Sequence, residues 1–322
     1  MTPFYLKAPC KDYLWGGDRL RAYGKQSDAA VIAESWELSC HPDGESVIAS
    51  GAYAGMTLTA FLAQHPEALG ENCRRFDRFP VLIKMIDADK DLSVQVHPDD
   101  AYALAHEGEL GKTEMWYVID AAPGAELIYG FAHEVTQEAF RHAIETNTLG
   151  DIVRHVPVQK GDVFFIPSGT LHAIGKGLLI AEVQENSNTT YRVYDYGRVG
   201  KDGRPRELHV EKALAVTHLT PTEPRKLLPP STLPLTDTKY QLLADCAYFT
   251  AMRFDVLRRF SLTPSTASFG HILVTEGEGT LTSEGETFPL RPGTSLFLPA
   301  GTAPAEVFSE AGCTLLMTQI GP

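Results

Sequence analysis

What this chain has little of narrows its function first. Cysteine is scarce and unpaired: Cys10, Cys40, Cys73, Cys246 and Cys313 lie far apart, are odd in number and contain no C-x-x-C spacing. That argues against a disulfide framework and a thiolate zinc knot, and predicts a reducing, cytoplasmic compartment. Positive charge is also short, with 28 Lys and Arg against 41 Asp and Glu and a net charge of −13. A field of that sign opposes nucleic acid and anionic membranes, so an anionic small molecule needs a local basic pocket. No run reaches the ~18 apolar residues of a membrane span, and the opening MTPFYLKAPCKDYLWGG lacks the apolar core of a signal peptide. The expectation is a soluble protein without nucleic-acid or membrane partners, its oligomeric state left open.

What is present is enough for a large core: 322 residues, 43% of them hydrophobic, long enough for two domains. Up to Ser50 the chain is rich in Gly, Pro and aromatics with short apolar alternations, which predict strands and loops; Trp15 and Trp36 are expected in the core and His41 at a turn. The stretch MTLTAFLAQHPEALG has helical apolar spacing, with a threonine as cap and Gly70 as stop. Lys84 stands inside the apolar run Val81–Ile86, where an isolated buried ammonium is costly unless it points at a partner or a cavity; an edge strand is the alternative. Residues 134–156 have the spacing of one or two short helices, with His142 and His155 expected as surface or packing residues and not as ligands.

Three histidine- and glutamate-bearing strands carry the chemistry. Leu92–His97 alternates strictly, so Ser93, Gln95 and His97 share one face and Leu92, Val94 and Val96 the other. Lys112 and Glu114 share a face on the next predicted strand by the same period. In KGDVFFIPSGTLH an apolar strand enters a Pro167-x-Gly169 corner and delivers His172 to the start of another strand. His97, Glu114 and His172, with Gln95 beside His97, form an N/O donor set without thiolate, which suits an open Zn²⁺ site. The plainer alternative is a set of hydrogen-bonded polar groups in a barrel mouth.

These motifs carry a resemblance. Gly161 to His172 matches the second cupin motif except for its terminal Asn, where Lys176 stands. LSVQVHPDD, GKTEMWYV, IPSGTLHAIG and QENSNTTYRVYDYGR together resemble the type I mannose-6-phosphate isomerases in their short bacterial form. That resemblance implies one Zn²⁺ per chain on Gln95, His97, Glu114 and His172, an active-site arginine at Arg192, and a phosphate region at Ser93 with Lys84. Arg19 and Arg198 are further cations for a phosphate pocket. Lys112, two residues before the metal-bound glutamate, is the first candidate for proton carrier, since a lysine beside a metal ion can act as a base. Glu37 and Glu182 are the carboxylate alternatives. The implied activity is interconversion of mannose 6-phosphate and fructose 6-phosphate through a cis-enediol. A cupin oxygenase and a non-catalytic sugar-binding cupin are the competing functions. The helical insertion of larger relatives is reduced here to the short segment before His155.

The last third repeats the motif in decayed form. LPAGTAP at residues 298–304 aligns with IPSGTLH at 166–172, so Pro304 takes the slot of His172, and His271 is expected to be structural. The Pro-rich stretch 219–235 marks a join. The expected fold is mainly β: two tandem cupin-type jelly-roll domains with a few short helices, residues 1–225 bearing the metal and 226–322 degenerate.

Overall fold

The computed structural model describes residues 1–200, 203–224, 227, 230–233 and 236–322. It is mainly β, as expected, and by contacts it falls into two units: residues 12–17 with 86–226, and residues 1–11 with 18–85 and 227–322. The sequence join at 225/226 falls on residues outside those described, as does part of the 219–235 stretch. The contact division differs from a split at that join because the first strand, Phe4–Lys7, pairs antiparallel with Ser295–Leu298 and stacks Phe4 on Phe297 at 5.2 Å. Early residues are thereby stitched into the C-terminal barrel.

The unit holding residues 86–226 has two facing groups of strands. Val163–Ile166, Glu114–Ala121 and Leu178–Glu185 run antiparallel side by side. Opposite them, a five-stranded sheet has the order Tyr191–Tyr194, Val94–Val96, His172–Ile174, Glu126–Phe131, Val153–Pro157. One face of this sheet is apolar: Val94, Val96, Phe131 and Tyr191 pack against Phe140 and Ile144 of helix Gln137–Glu145 and Leu214 of helix Val210–Val216. Burying Phe140 there contributes on the order of 2 kcal/mol. With that face committed to the helices, the alternating residues Ser93, Gln95 and His172 turn to the other. Helix Asp100–His106 starts where Pro98 ends the strand, with Asp99 accepting from Tyr102 N–H.

The other unit is a sandwich of an eight-stranded and a four-stranded sheet. Its core gathers Phe254 of strand Thr250–Val256, Ile272 and Val274 of strand Gly270–Gly277, and Leu281, Leu296 and Leu298. Helix Leu58–Gln64 is capped by Thr57 and buries Leu58, Phe61 and Leu62; the 3-10 helix Pro66–Leu69 follows it and is capped by Gly70, the expected stop. Residues 134–156 are only partly helical. The helix stops at Glu145, and Val153–Pro157 is a strand, because Val153 and Val156 pair with Phe131 and Leu127 instead of continuing the helical stripe. His155 lies on that strand, exposed, with Nδ1 2.7 Å from Glu126.

Candidate metal centre

The Pro167-x-Gly169 corner is fixed by backbone conformation. Gly161 and Gly169 have φ of 89° and 81°, in the left-handed region, and Thr170 N–H donates to Pro167 O at 3.1 Å. A Cβ on Gly169 would meet the His218 ring at 2.7 Å, so a side chain is excluded on space as well. The corner delivers His172 as the first residue of its strand, directly opposite Gln95 in the antiparallel register. Glu114 opens the strand that pairs with Ile166, before the corner.

His97, Glu114 and His172 offer ligand atoms that all lie within 4.8 Å of one another, and all three side chains are buried. His97 Nε2 is 3.3 Å from Glu114 Oε1, and His172 Nε2 is 3.5 Å from Glu114 Oε2. Among the described residues this is the one cluster of three such groups. Each imidazole is turned by a main-chain carbonyl: His97 Nδ1–H donates to Thr189 O and His172 Nδ1–H to Thr170 O, both at 2.8 Å. The Nε2 lone pairs therefore face the carboxylate, the tautomer a metal ligand needs. His172 Nε2 and Glu114 Oε2 are buried without a hydrogen-bond partner, which a purely hydrogen-bonded cluster would not leave.

The electrostatics favour ligand forms. Burial, with Lys112 adding to it, pushes His97 down to about 3, and burial lowers His172, so both rings are neutral at pH 7. Burial opposes ionisation of Glu114, but the ammonium of Lys112 holds its carboxyl well below the usual range. Lys112 Nζ lies 2.6 Å from Glu114 Oε1 and 3.3 Å from His97 Nε2. Trp116 Nε1–H donates to Glu182 Oε2 at 2.8 Å, and its ring meets His172 edge-on with centroids 5.3 Å apart.

Beside this cluster lies a chain of polar groups. Arg192 Nε donates to Ser93 Oγ at 3.2 Å, Ser93 Oγ to Gln95 Oε1 at 3.4 Å, and Arg192 is the cross-strand partner of Gln95. Burial, then the charge of Arg206, lowers the Arg192 guanidinium from its usual value. Arg198 and Arg206 both bind Asp195, and its charge also acts on Arg192, so among the described residues three guanidiniums gather about this carboxylate. Sequence reasoning named Arg192 and Arg198 but missed Arg206, which no strand pattern marks.

The remaining predicted residues lie in the other unit. Lys84 is buried, its Nζ 3.7 Å from Glu34 and 5.1 Å over the Trp36 ring, which explains a lysine in an apolar strand. Glu37 has one oxygen on Lys25 Nζ at 2.6 Å and the other on Ser35 Oγ at 2.5 Å. Arg19 opens the short 3-10 helix Arg19–Tyr23.

The stretch aligned with this motif near the C-terminus repeats the corner. Gly293 and Gly301 have φ of 84° and 75°, and Thr302 N–H donates to Pro299 O at 3.0 Å. Leu298, the counterpart of Ile166, pairs with Gly270, so Gly270 occupies the slot of Glu114. This difference was hidden in the sequence because only register reveals it. His271, next to it, is buried with Nε2 2.8 Å from Ser295 Oγ.

Sequence reasoning also missed Gln184 and Glu185. Gln184 is the cross-strand partner of Glu114. Glu185 Oε1 accepts Thr113 N–H at 2.6 Å, and burial, then the neighbouring charge of Asp100, pushes its carboxyl up to about 8. The shared parity of Glu182 and Gln184 at the end of strand Leu178–Glu185 was the available signal for Gln184.

Comparison with known proteins agrees across the chain. Residues 4–119 match the family profile described as phosphomannose isomerase type I, catalytic domain, and residues 238–317 that of mannose-6-phosphate isomerase, cupin domain. The mannose-6-phosphate isomerase of Streptococcus mutans is 42% identical over 299 residues, 92% of each chain. The crystal structure of the mannose 6-phosphate isomerase from Bacillus subtilis superposes with a TM-score of 0.92 at 36% identity, covering 99% of this chain and 100% of that one. A zinc-bound mannose 6-phosphate isomerase shares the fold at a TM-score of 0.79 and 18% identity, with both chains fully covered.

Proposed function

The chain belongs to the type I mannose-6-phosphate isomerases, which interconvert mannose 6-phosphate and fructose 6-phosphate, and we propose that Gln95, His97, Glu114 and His172 hold one zinc ion per chain for that reaction. The observation that carries the site is the pair of buried imidazoles whose Nε2 atoms face the Glu114 carboxylate. Two imidazoles, a carboxylate and an amide oxygen, with no thiolate, suit zinc with a position left open, in keeping with the zinc of the relative that shares this fold. Zinc there would supply a Lewis acid for the negative charge that develops on the two sugar oxygens at C1 and C2.

The chain's own residues divide the rest. Lys112, with Nζ beside Glu114 and His97, is the proposed carrier of the proton between C2 and C1. Glu182, held by the Trp116 indole, is the carboxylate alternative; Glu37 has both oxygens engaged by Lys25 and Ser35. Arg192, steadied on Ser93, binds the phosphate or the developing charge, and the surplus of cations around Asp195 supplies the basic pocket that a chain of −13 otherwise lacks. Lys84 belongs to the phosphate set on the family resemblance alone. The five unbridged cysteines suit a cytoplasmic setting, and no helix among the described residues is long and apolar enough to cross a membrane.

The test is removal and return of metal. Chelation should abolish mannose 6-phosphate turnover, zinc should restore it, and metal analysis should give one zinc per chain. A chelator-resistant rate overturns the metal assignment. Dioxygen uptake by iron-loaded protein would support an oxygenase, and sugar-phosphate binding without turnover a binding module.

A further inference from the structure

Gln184 is fully buried on strand Leu178–Glu185, and its register opposite Glu114 sends its side chain to the same face of the sheet. Its amide nitrogen gives both hydrogens to main-chain carbonyls, Glu185 O and Ser187 O, each at 2.7 Å. Both partners are acceptors only, so the orientation of the amide is fixed by chemistry. The cost is visible at the other end: Gln184 Oε1 is buried with no hydrogen-bond partner. What holds the side chain in place is its pair of donor bonds.

Those donors hold a short loop. Ser187 N–H folds back to Glu185 O at 2.7 Å, Ser187 Oγ donates to Leu110 O at 2.7 Å, and Thr189 N–H donates to Ser187 Oγ at 3.2 Å. Two residues beyond Ser187, Thr189 O accepts the Nδ1–H of His97. The ring orientation of His97 thus hangs from Thr189, the Thr189 carbonyl from the loop, and the loop from Gln184. His172 has no such dependence, because Thr170 O, which orients it, belongs to the glycine corner.

We infer that Gln184 is a positioning residue of the metal centre, acting through the 185–189 loop to fix the tautomer and orientation of His97. The inference rests on the reading that His97 is a zinc ligand. Partners that orient a metal-bound imidazole typically change affinity about 10–100-fold when removed, and a residue acting only through His97 loses its effect once His97 is gone.

The experiment measures zinc affinity by competition with a chromophoric chelator, and the d–d absorption of the cobalt-substituted protein, in wild type, Gln184→Met, His97→Gln and the double variant. Gln184→Met should weaken zinc about 10–100-fold and shift the cobalt band. In the His97→Gln background the same substitution should change affinity less than about 3-fold. Thr217→Val, which removes a buried hydrogen bond to Ala213 O away from the site, controls for lost stability and should leave affinity unchanged. If Gln184→Met does not fold, Ser187→Ala loosens the same loop and should weaken zinc in the same direction. Wild-type affinity in the loop variants, or an equal loss in both backgrounds, overturns the inference. His172→Ala separates this from the underlying reading: if it too keeps zinc, the site assignment fails; if it loses zinc while Gln184→Met does not, only the role of Gln184 fails.

Discussion

Replacing Glu185 by Gln should flatten the pH dependence of stability. In the folded protein the Glu185 carboxyl is buried, accepts Thr113 N–H and faces Asp100, and burial with the Asp100 charge pushes it up to about 8. In the unfolded chain a glutamate titrates near about 4.3. A group whose folded value is raised stabilises fully below its unfolded value and loses that contribution as pH rises through the folded value. Between about pH 5.5 and 7.5 the folded state keeps one proton that the unfolded state has released. Stability of the wild type should therefore fall by about 1.4 kcal/mol per pH unit relative to a side chain that does not titrate, roughly 2–3 kcal/mol over the window. Gln keeps the acceptor for Thr113 and an N–H for Asp100, so it mimics the protonated acid without titrating. Urea unfolding of both proteins, at the same zinc concentration and at several pH values, gives the difference directly; the buried histidines contribute equally to both curves and cancel. Parallel stability curves for the two proteins would refute the reasoning.

Three substitutions test the site itself. His172→Ala should lose bound zinc and turnover together, read by metal analysis and an isomerase assay. Lys112→Ala should keep zinc and lose about 10²–10⁴-fold in kcat, the usual contribution of a positioned proton carrier; retained activity would move that role to Glu182. Arg192→Ala should keep zinc and raise KM for the sugar phosphate about 10–100-fold, the loss expected for a charge-assisted contact; an unchanged KM with a reduced kcat would place Arg192 at the reacting carbons and not at phosphate.

The proposed metal centre was legible because two local rules converge on it. Strand alternation put Gln95 and His97 on one face, and the Pro167-x-Gly169 corner dictates where His172 must point. Residues whose importance depends on pairing were not legible. Gly270 reads as an ordinary glycine until the strand register sets it in the place of Glu114. Thr189 contributes a carbonyl, which carries no side-chain signature. The helical pattern over 134–156 failed at Val153 because β pairing with Phe131 outweighs a periodicity only a few residues long. The sequence split at 225/226 had no means of seeing that Phe4–Lys7, far along the chain from its partner strand Ser295–Leu298, would join the C-terminal sheet.

The edge-on contact between Trp116 and His172 has a practical consequence. Of the three tryptophans in the chain, this one packs against the imidazole of His172, a proposed ligand, while its N–H is held by a carboxylate. Indole emission responds to nearby charge, and a divalent cation on His172 would place two positive charges one ring away. With zinc on the proposed site the protein would carry its own optical gauge of metal occupancy, one that needs no dye and that would report on the centre even in variants that no longer turn over sugar.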